Sequence, residues 1–108
     1  MKKYMILYMG PVSAEEQMTV SEEEKKKGME PWLDWFKKLG KSLVEGGTPL
    51  VNGMRFTKDD LVHTKMEVTG YSVVQADDWE ALKVLLVDHP HYLIPDGSLE
   101  VFEMMPMA

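Results

Sequence analysis

Apolar residues alternate with others near both ends of the chain and recur at three or four residues in two stretches between, so strands are expected to enclose helices. Residues 3–9 are aromatic and β-favouring and stop at Gly10-Pro11, which predicts a first strand. Ser13-Ala-Glu-Glu16 and Ser21-Glu22-Glu23-Glu24 both have the form of a capping box, in which a hydroxyl accepts an orphan amide and a carboxylate reaches back, so two helix starts are open. From Met29 onward Met29, Trp32, Phe36, Leu39 and Leu43, widened by Leu33, Gly40 and Val44, predict an amphipathic helix that Gly46-Gly47 stops. Pro31 marks a kink or a second start within it. Residues 48–56 read as a weak strand punctuated by Pro and Gly, and Thr57 to Lys65 as a polar connection. Val68 to Ala76 is a stronger strand, with Val68, Gly70, Ser72, Val74 and Ala76 on one face and Thr69, Tyr71, Val73 and Gln75 on the other. Asp77 is expected to cap a second helix, with Glu80 completing its box and Trp79, Leu82, Leu85 and Leu86 on its apolar side. That helix should run out near Asp88, before His89-Pro90. Asp96-Gly97 then turns the chain into a last strand from Ser98 to Met105.

The order strand, helix, two strands, helix, strand is that of an α+β, ferredoxin-like βαββαβ sandwich, with both helices on one face of a four-stranded antiparallel sheet. Tyr4, Ile6 and Tyr8 alternate with Met5, Leu7 and Met9, and Leu99 and Val101 with Phe102 and Met104, so both faces of the sheet are apolar. Two helices cover one face only. The second layer is expected from another copy of the chain, which predicts a homodimer with facing sheets, a dimeric α/β barrel.

Composition trims the possible roles. The 108 residues suit one domain, spanning 1–108, with one core. Twelve Lys and Arg against eighteen Asp and Glu give a formal charge of −6, which repels phosphate backbones and anionic lipid, so neither nucleic acid nor a membrane is expected as a partner. Thr69-Gly70-Tyr71-Ser72-Val73-Val74 echoes the central strand of an RNA-recognition module, but the basic residue and the second stacking aromatic are missing. There is no cysteine, which excludes disulfides and thiolate chemistry, and no apolar run approaches the ~20 residues of a membrane helix. The start of the chain mimics a charged signal-peptide head, yet Gly10-Pro11 ends its short apolar part without a small-residue cleavage site. A first strand in a cytoplasmic protein is the expectation.

Five segments in matching order, Met1-Lys2-Lys3-Tyr4-Met5-Ile6-Leu7-Tyr8, Trp32-Leu-Asp-Trp35-Phe36-Lys-Lys-Leu39-Gly40, Gly46-Gly47-Thr-Pro49-Leu50, Gly70 to Asp77 and Gly97-Ser98-Leu99-Glu100-Val101, resemble the YCII-related family in its DGPF-type branch. The resemblance covers nearly the whole chain and implies a dimeric α/β barrel on a ferredoxin-like fold. It implies little about a reaction. Some members of the wider family carry a His and an Asp in a cleft; here the first helix has no histidine, so that pair does not carry over.

Candidate chemistry centres on His89-Pro90-His91. One reading has His89 against the last carbonyls of the preceding helix, where the dipole favours imidazolium. The other has His89 or His91 projecting into a cleft as general acid or base, since imidazole titrates near neutrality. A metal would need a third ligand such as His63, Asp88 or Asp96, and none is expected. Tyr8, Trp32, Trp35 and Tyr71 are candidate ligand-binding residues, with Trp35 a third of a turn off the main stripe and so at the helix edge. The ten methionines read as flexible packing, and Asp59-Asp60 and Asp77-Asp78 as caps or solvated groups. Without a Gly-rich phosphate loop, serine elbow or Walker motif, no cofactor is expected. Two functions stay open: a cofactor-free small-molecule enzyme of isomerase, lyase or oxygenase type, and a non-catalytic dimeric module that binds a ligand or a regulatory partner.

Overall fold

The computed structural model of the protein describes residues 1–11, 21–63, 67–94 and 96–107. Its elements are β1 (Lys2–Met9), α1 (Glu22–Leu39), β2 (Leu43–Glu45), β3 (Met54–Phe56), β4 (Leu61–His63), β5 (Val68–Ala76), α2 (Trp79–Leu86) and β6 (Ser98–Met104). Short 3₁₀ turns at Gly40–Ser42 and Pro90–Leu93 follow the two helices. The main sheet is four-stranded in the order β2-β5-β1-β6, antiparallel at each pairing, which is the ferredoxin-like arrangement.

The two long central strands lie where alternation predicts them, β5 over the same residues and β1 one residue longer. They pair from Lys2 opposite Ala76 to Tyr8 opposite Gly70. Their shared inner face, Tyr4, Ile6, Tyr8, Val74 and Ala76, packs on Trp35 and Leu39 of α1 and Leu82 and Leu86 of α2. Filling that layer with nine buried apolar side chains is what holds helices to sheet, the aliphatic ones from Val upward each worth about 1.5–3 kcal/mol of transfer.

Five expectations move. The long helix begins at Ser21, whose side chain accepts the Glu24 amide at 3.2 Å, and runs unbroken through Pro31. The hydrogen bond Pro31 forgoes belongs to the carbonyl of Lys27 on an exposed turn, where water can replace it. The alternative start at Ser13 lies outside the described residues. At the other end the helix stops at Gly40 (φ 52°, its amide on the Phe36 carbonyl), not at Gly46-Gly47. Leu43 and Val44 therefore leave the helix and form β2, the second strand of the sheet, beside β5.

The segment expected to be that strand does something else: Pro49 bridges to Gly70, and Met54–Phe56 pairs with Leu61–His63 as a separate two-stranded hairpin. The second helix is capped by Asp78, whose carboxylate accepts the Ala81 amide at 2.8 Å, one residue later than expected. On α1, finally, Trp35 is 4% exposed and belongs to the core, whereas Met29 and Leu33 of the expected stripe are about half exposed. No helix among the described residues is long and apolar enough to cross a membrane.

The outer face of the sheet carries Met5, Leu7 and Met9, half-buried, with Phe102 and Met104 exposed and Val73, paired between Met5 and Glu45, buried. Both helices lie on the other side. The apolar second face read from the alternation is present in the chain.

Candidate functional site

The C-terminal end of β1 puts Tyr8 on the helix side of the sheet, opposite Gly70, where a missing side chain leaves room for the phenol ring. One strand over, Ser72 is fully buried in a row otherwise built from Val74 and Ala76. The Tyr8 hydroxyl donates to Ser72 Oγ at 2.7 Å, and Ser72 Oγ donates to the Gly46 carbonyl at 2.6 Å. Gly46 reaches that position because the chain turns tightly at Gly47 (φ 78°), where a Cβ would stand 1.7 Å from the Tyr71 carbonyl oxygen.

Two histidines enter from the turn after α2. His89 caps the 3₁₀ turn Pro90–Leu93: its Nδ1 accepts the His91 amide at 2.9 Å, so Nδ1 carries no proton. The neutral ring then holds its hydrogen on Nε2, 3.0 Å from the Tyr8 hydroxyl, and donates to it. Every link now has a direction, from His89 Nε2–H to Tyr8 O–H to Ser72 O–H to the carbonyl of Gly46, and the chain ends on an atom that can only accept. His91 Nε2 lies 2.7 Å from the carbonyl of Met9 and must donate to it. His91 Nδ1 makes no hydrogen bond among the described residues. Gly97 closes over the turn, with room there for no side chain: a Cβ would meet the His91 carbonyl oxygen at 2.6 Å.

An aromatic shell surrounds these polar groups. Trp35 packs on His89 at 4.1 Å between ring centroids and anchors its own indole by donating to the Leu85 carbonyl at 3.1 Å. Trp32, half-buried, meets Tyr8 at 4.8 Å and His89 at 4.9 Å, edge to face, and lies 6.4 Å from His91. His89 and His91 are 2% and 1% exposed. Burial pulls the His89 pKa down to about 3, with the neighbouring His91 adding repulsion, and burial drives the Tyr8 phenol far up despite its bond to Ser72. Both groups are therefore neutral at physiological pH. Tyr4, equally buried on the same strand, packs on Trp79 at 4.9 Å, and its hydroxyl has no partner among the described residues.

Of the residues picked out by sequence, the structure brings Tyr8, Trp32, Trp35, His89 and His91 together and separates Tyr71 from them. Tyr71 sits opposite Leu7 on the outer face, donating to Glu45, and that hydrogen bond raises the phenol's pKa. The helix-end carbonyl is taken by the backbone amide of His89, bonded to Leu86 at 3.3 Å, while its ring turns inward. Ser72 and Gly46 were not singled out from sequence, although a serine inside an apolar strand face was the available signal. Among the described residues no group of three or more His, Cys, Asp or Glu is placed to hold a metal ion.

No family model matches the chain, and no curated protein matches it in sequence. A solved structure does match in shape: 5-chloro-2-hydroxyhydroquinone dehydrochlorinase from Burkholderia phenoliruptrix AC1100, in complex with 2,5-dihydroxybenzoquinone. It superposes with a TM-score of 0.58 at 13% identity over 97% of this chain and 94% of that one. The likeness is one of fold, shared with a small-molecule enzyme along nearly the full length of both chains.

Proposed function

We propose that this chain is a YCII-related, cofactor-free isomerase or lyase acting on a hydroxylated planar ring, with His91 as its acid/base and His89 as the residue that positions it. The observation that carries the reading is the oriented hydrogen-bond chain. It engages both nitrogens of His89 and one of His91, leaving His91 Nδ1 as the ring nitrogen with no hydrogen bond among the described residues. An imidazole lone pair fixed in this way can take the proton of a ring hydroxyl. The resulting imidazolium returns that proton to another ring atom in an isomerisation. In an elimination it gives the proton to water while the leaving group departs with its bonding electrons.

Trp32, at the half-buried rim, is the side from which a flat ligand would enter, with Tyr8 and Trp35 behind it. The substrate class proposed, a six-membered ring bearing hydroxyl groups, is taken from the fold neighbour's name and bound quinone. The subunit is further proposed to work as a homodimer joined through the outer sheet faces, because Met5, Leu7, Met9, Phe102 and Met104 form an apolar layer that the helices do not cover.

The test titrates wild type, His91→Gln and His89→Asn with 2,5-dihydroxybenzoquinone by tryptophan fluorescence. Turnover of chlorinated hydroxyhydroquinones is measured alongside. Binding kept and turnover lost in His91→Gln, with turnover largely kept in His89→Asn, is the expected pattern, since the asparagine Oδ1 can still accept the His91 amide. A wild type that binds but turns over nothing in the panel supports the second reading, a non-catalytic ligand-binding module, which the close burial of both histidines favours.

A further inference from the structure

Among the described residues, the hairpin β3–β4 packs mainly on itself. Register puts Met54 and Phe56 on one side and Leu61 directly opposite Phe56, so the three share a face. All three are exposed, Phe56 by 74%, as are Leu50 and Val51 in the segment leading to them. The hairpin's principal contacts are between its own two strands. A two-stranded ribbon of this kind is marginal in water unless a further layer covers it.

The hairpin is also joined to the main sheet through the segment before it. The segment before it is tied to the edge of β5 by the Pro49–Gly70 bridge and by the Leu50 amide on the Thr69 carbonyl at 3.1 Å. The next residue of β5 is Tyr71, on the outer face. That face is small: four strands about 4.8 Å apart, the first eight residues long, project on the order of 500 Å². Stable dimers bury about 800 Å² per partner. Those 800 Å² are accessible rather than projected surface, and an apolar ribbon beside the face adds to what such an interface can bury.

We infer that β3–β4 is an arm that crosses to a second copy of this chain and lays the Met54, Phe56 and Leu61 face over the rim of that copy's outer sheet. The arm enlarges the homodimer proposed above and rests on it.

The test compares wild type, a Met54→Ser, Phe56→Ser, Leu61→Ser variant and a Val84→Ser control by sedimentation equilibrium. Val84 is exposed on α2, away from the hairpin. The triple variant is expected to weaken dimerisation by roughly tenfold or more, with unchanged far-UV circular dichroism, and the control not at all. A dimer equally tight in the triple variant overturns the arm and leaves the facing-sheet dimer standing; a monomeric wild type overturns both. The chain has no cysteine, so Phe56→Cys can carry a single photo-cross-linker. Mixed light and heavy isotope subunits should then give adducts between copies, on β1, β5 or β6. Adducts confined within one copy overturn the arm even if the serine variant misfolds.

Discussion

Ile6 and Leu7 are neighbours on β1, yet Ile6 is sealed under the helices while Leu7 lies half-buried on the face the helices leave bare. The two faces of one sheet differ in more than cover. The inner face holds a closed set of neutral polar groups, Tyr8, Ser72 and His89, each with a donor matched to an acceptor. The outer face has a largely apolar centre with Tyr71 and Glu45 toward one edge, in reach of water. Buried polar atoms demand partners fixed in advance, whereas an apolar surface demands only something to cover it. The polar set around Tyr8 is thus finished within the chain, and the outer face is left bare by the helices.

The sharpest way to break that contrast is to truncate the two neighbours. Ile6→Ala should lower stability by about 2–5 kcal/mol at any protein concentration, because the cavity forms inside the subunit. Leu7→Ala should cost less at low concentration and, under the proposed dimer, should remove any extra stability that concentration gives wild type. Urea denaturation at two concentrations decides. Equal, concentration-independent losses would mean that the chain covers its own second face.

Both faces were legible from alternation, because side-chain direction along a strand has a period of two and needs no tertiary information. Val68–Ala76 came out to the residue for this reason, bounded by a polar stretch before it and Asp77-Asp78 after it. The boundary between α1 and β2 did not. Leu43 and Val44 continue a helical stripe as well as they start a strand, and what separates the two is the backbone of Gly40, which spacing does not encode. Asp77 and Asp78 could each cap α2, and only the helix phase selects the second. Within the site, the aromatic residues and the two histidines stood out as residue types. The chain joining them was hidden because Tyr8, Gly46, Ser72 and His89 lie far apart in sequence and meet only through sheet register and two loop conformations.

Proton uptake probes the finished face. His89 is held neutral down to about pH 3, against 6.5 for an ordinary imidazole, chiefly by burial. Between those values the unfolded chain binds a proton that the folded chain refuses, so this contribution is complete above about 6.5 and is lost as pH falls toward 3. One proton gives a slope of at most about 1.4 kcal/mol per pH unit. His89→Asn keeps the acceptor for the His91 amide but does not titrate, so the difference between wild type and this variant isolates the effect from that of the carboxylates. Denaturation midpoints whose difference stays flat across the window would show that His89 accepts its proton in the folded state.

Two tyrosines, one on each side of the sheet, give the finest comparison. Tyr8→Phe removes the middle of the hydrogen-bond chain, leaving the Nε2–H of His89 and Ser72 Oγ each short of a partner where water does not reach, at a cost of about 1–3 kcal/mol. Tyr71→Phe removes a bond that solvent can replace, and stability should not change measurably. The same pair locates the site. Binding of 2,5-dihydroxybenzoquinone should weaken in Tyr8→Phe, whose ring lies against Trp32 and both histidines, and stay constant in Tyr71→Phe. The opposite outcome would move the ligand to the outer face, and with it the role assigned to His91, since no atom of the Tyr8 chain opens on that side of β1.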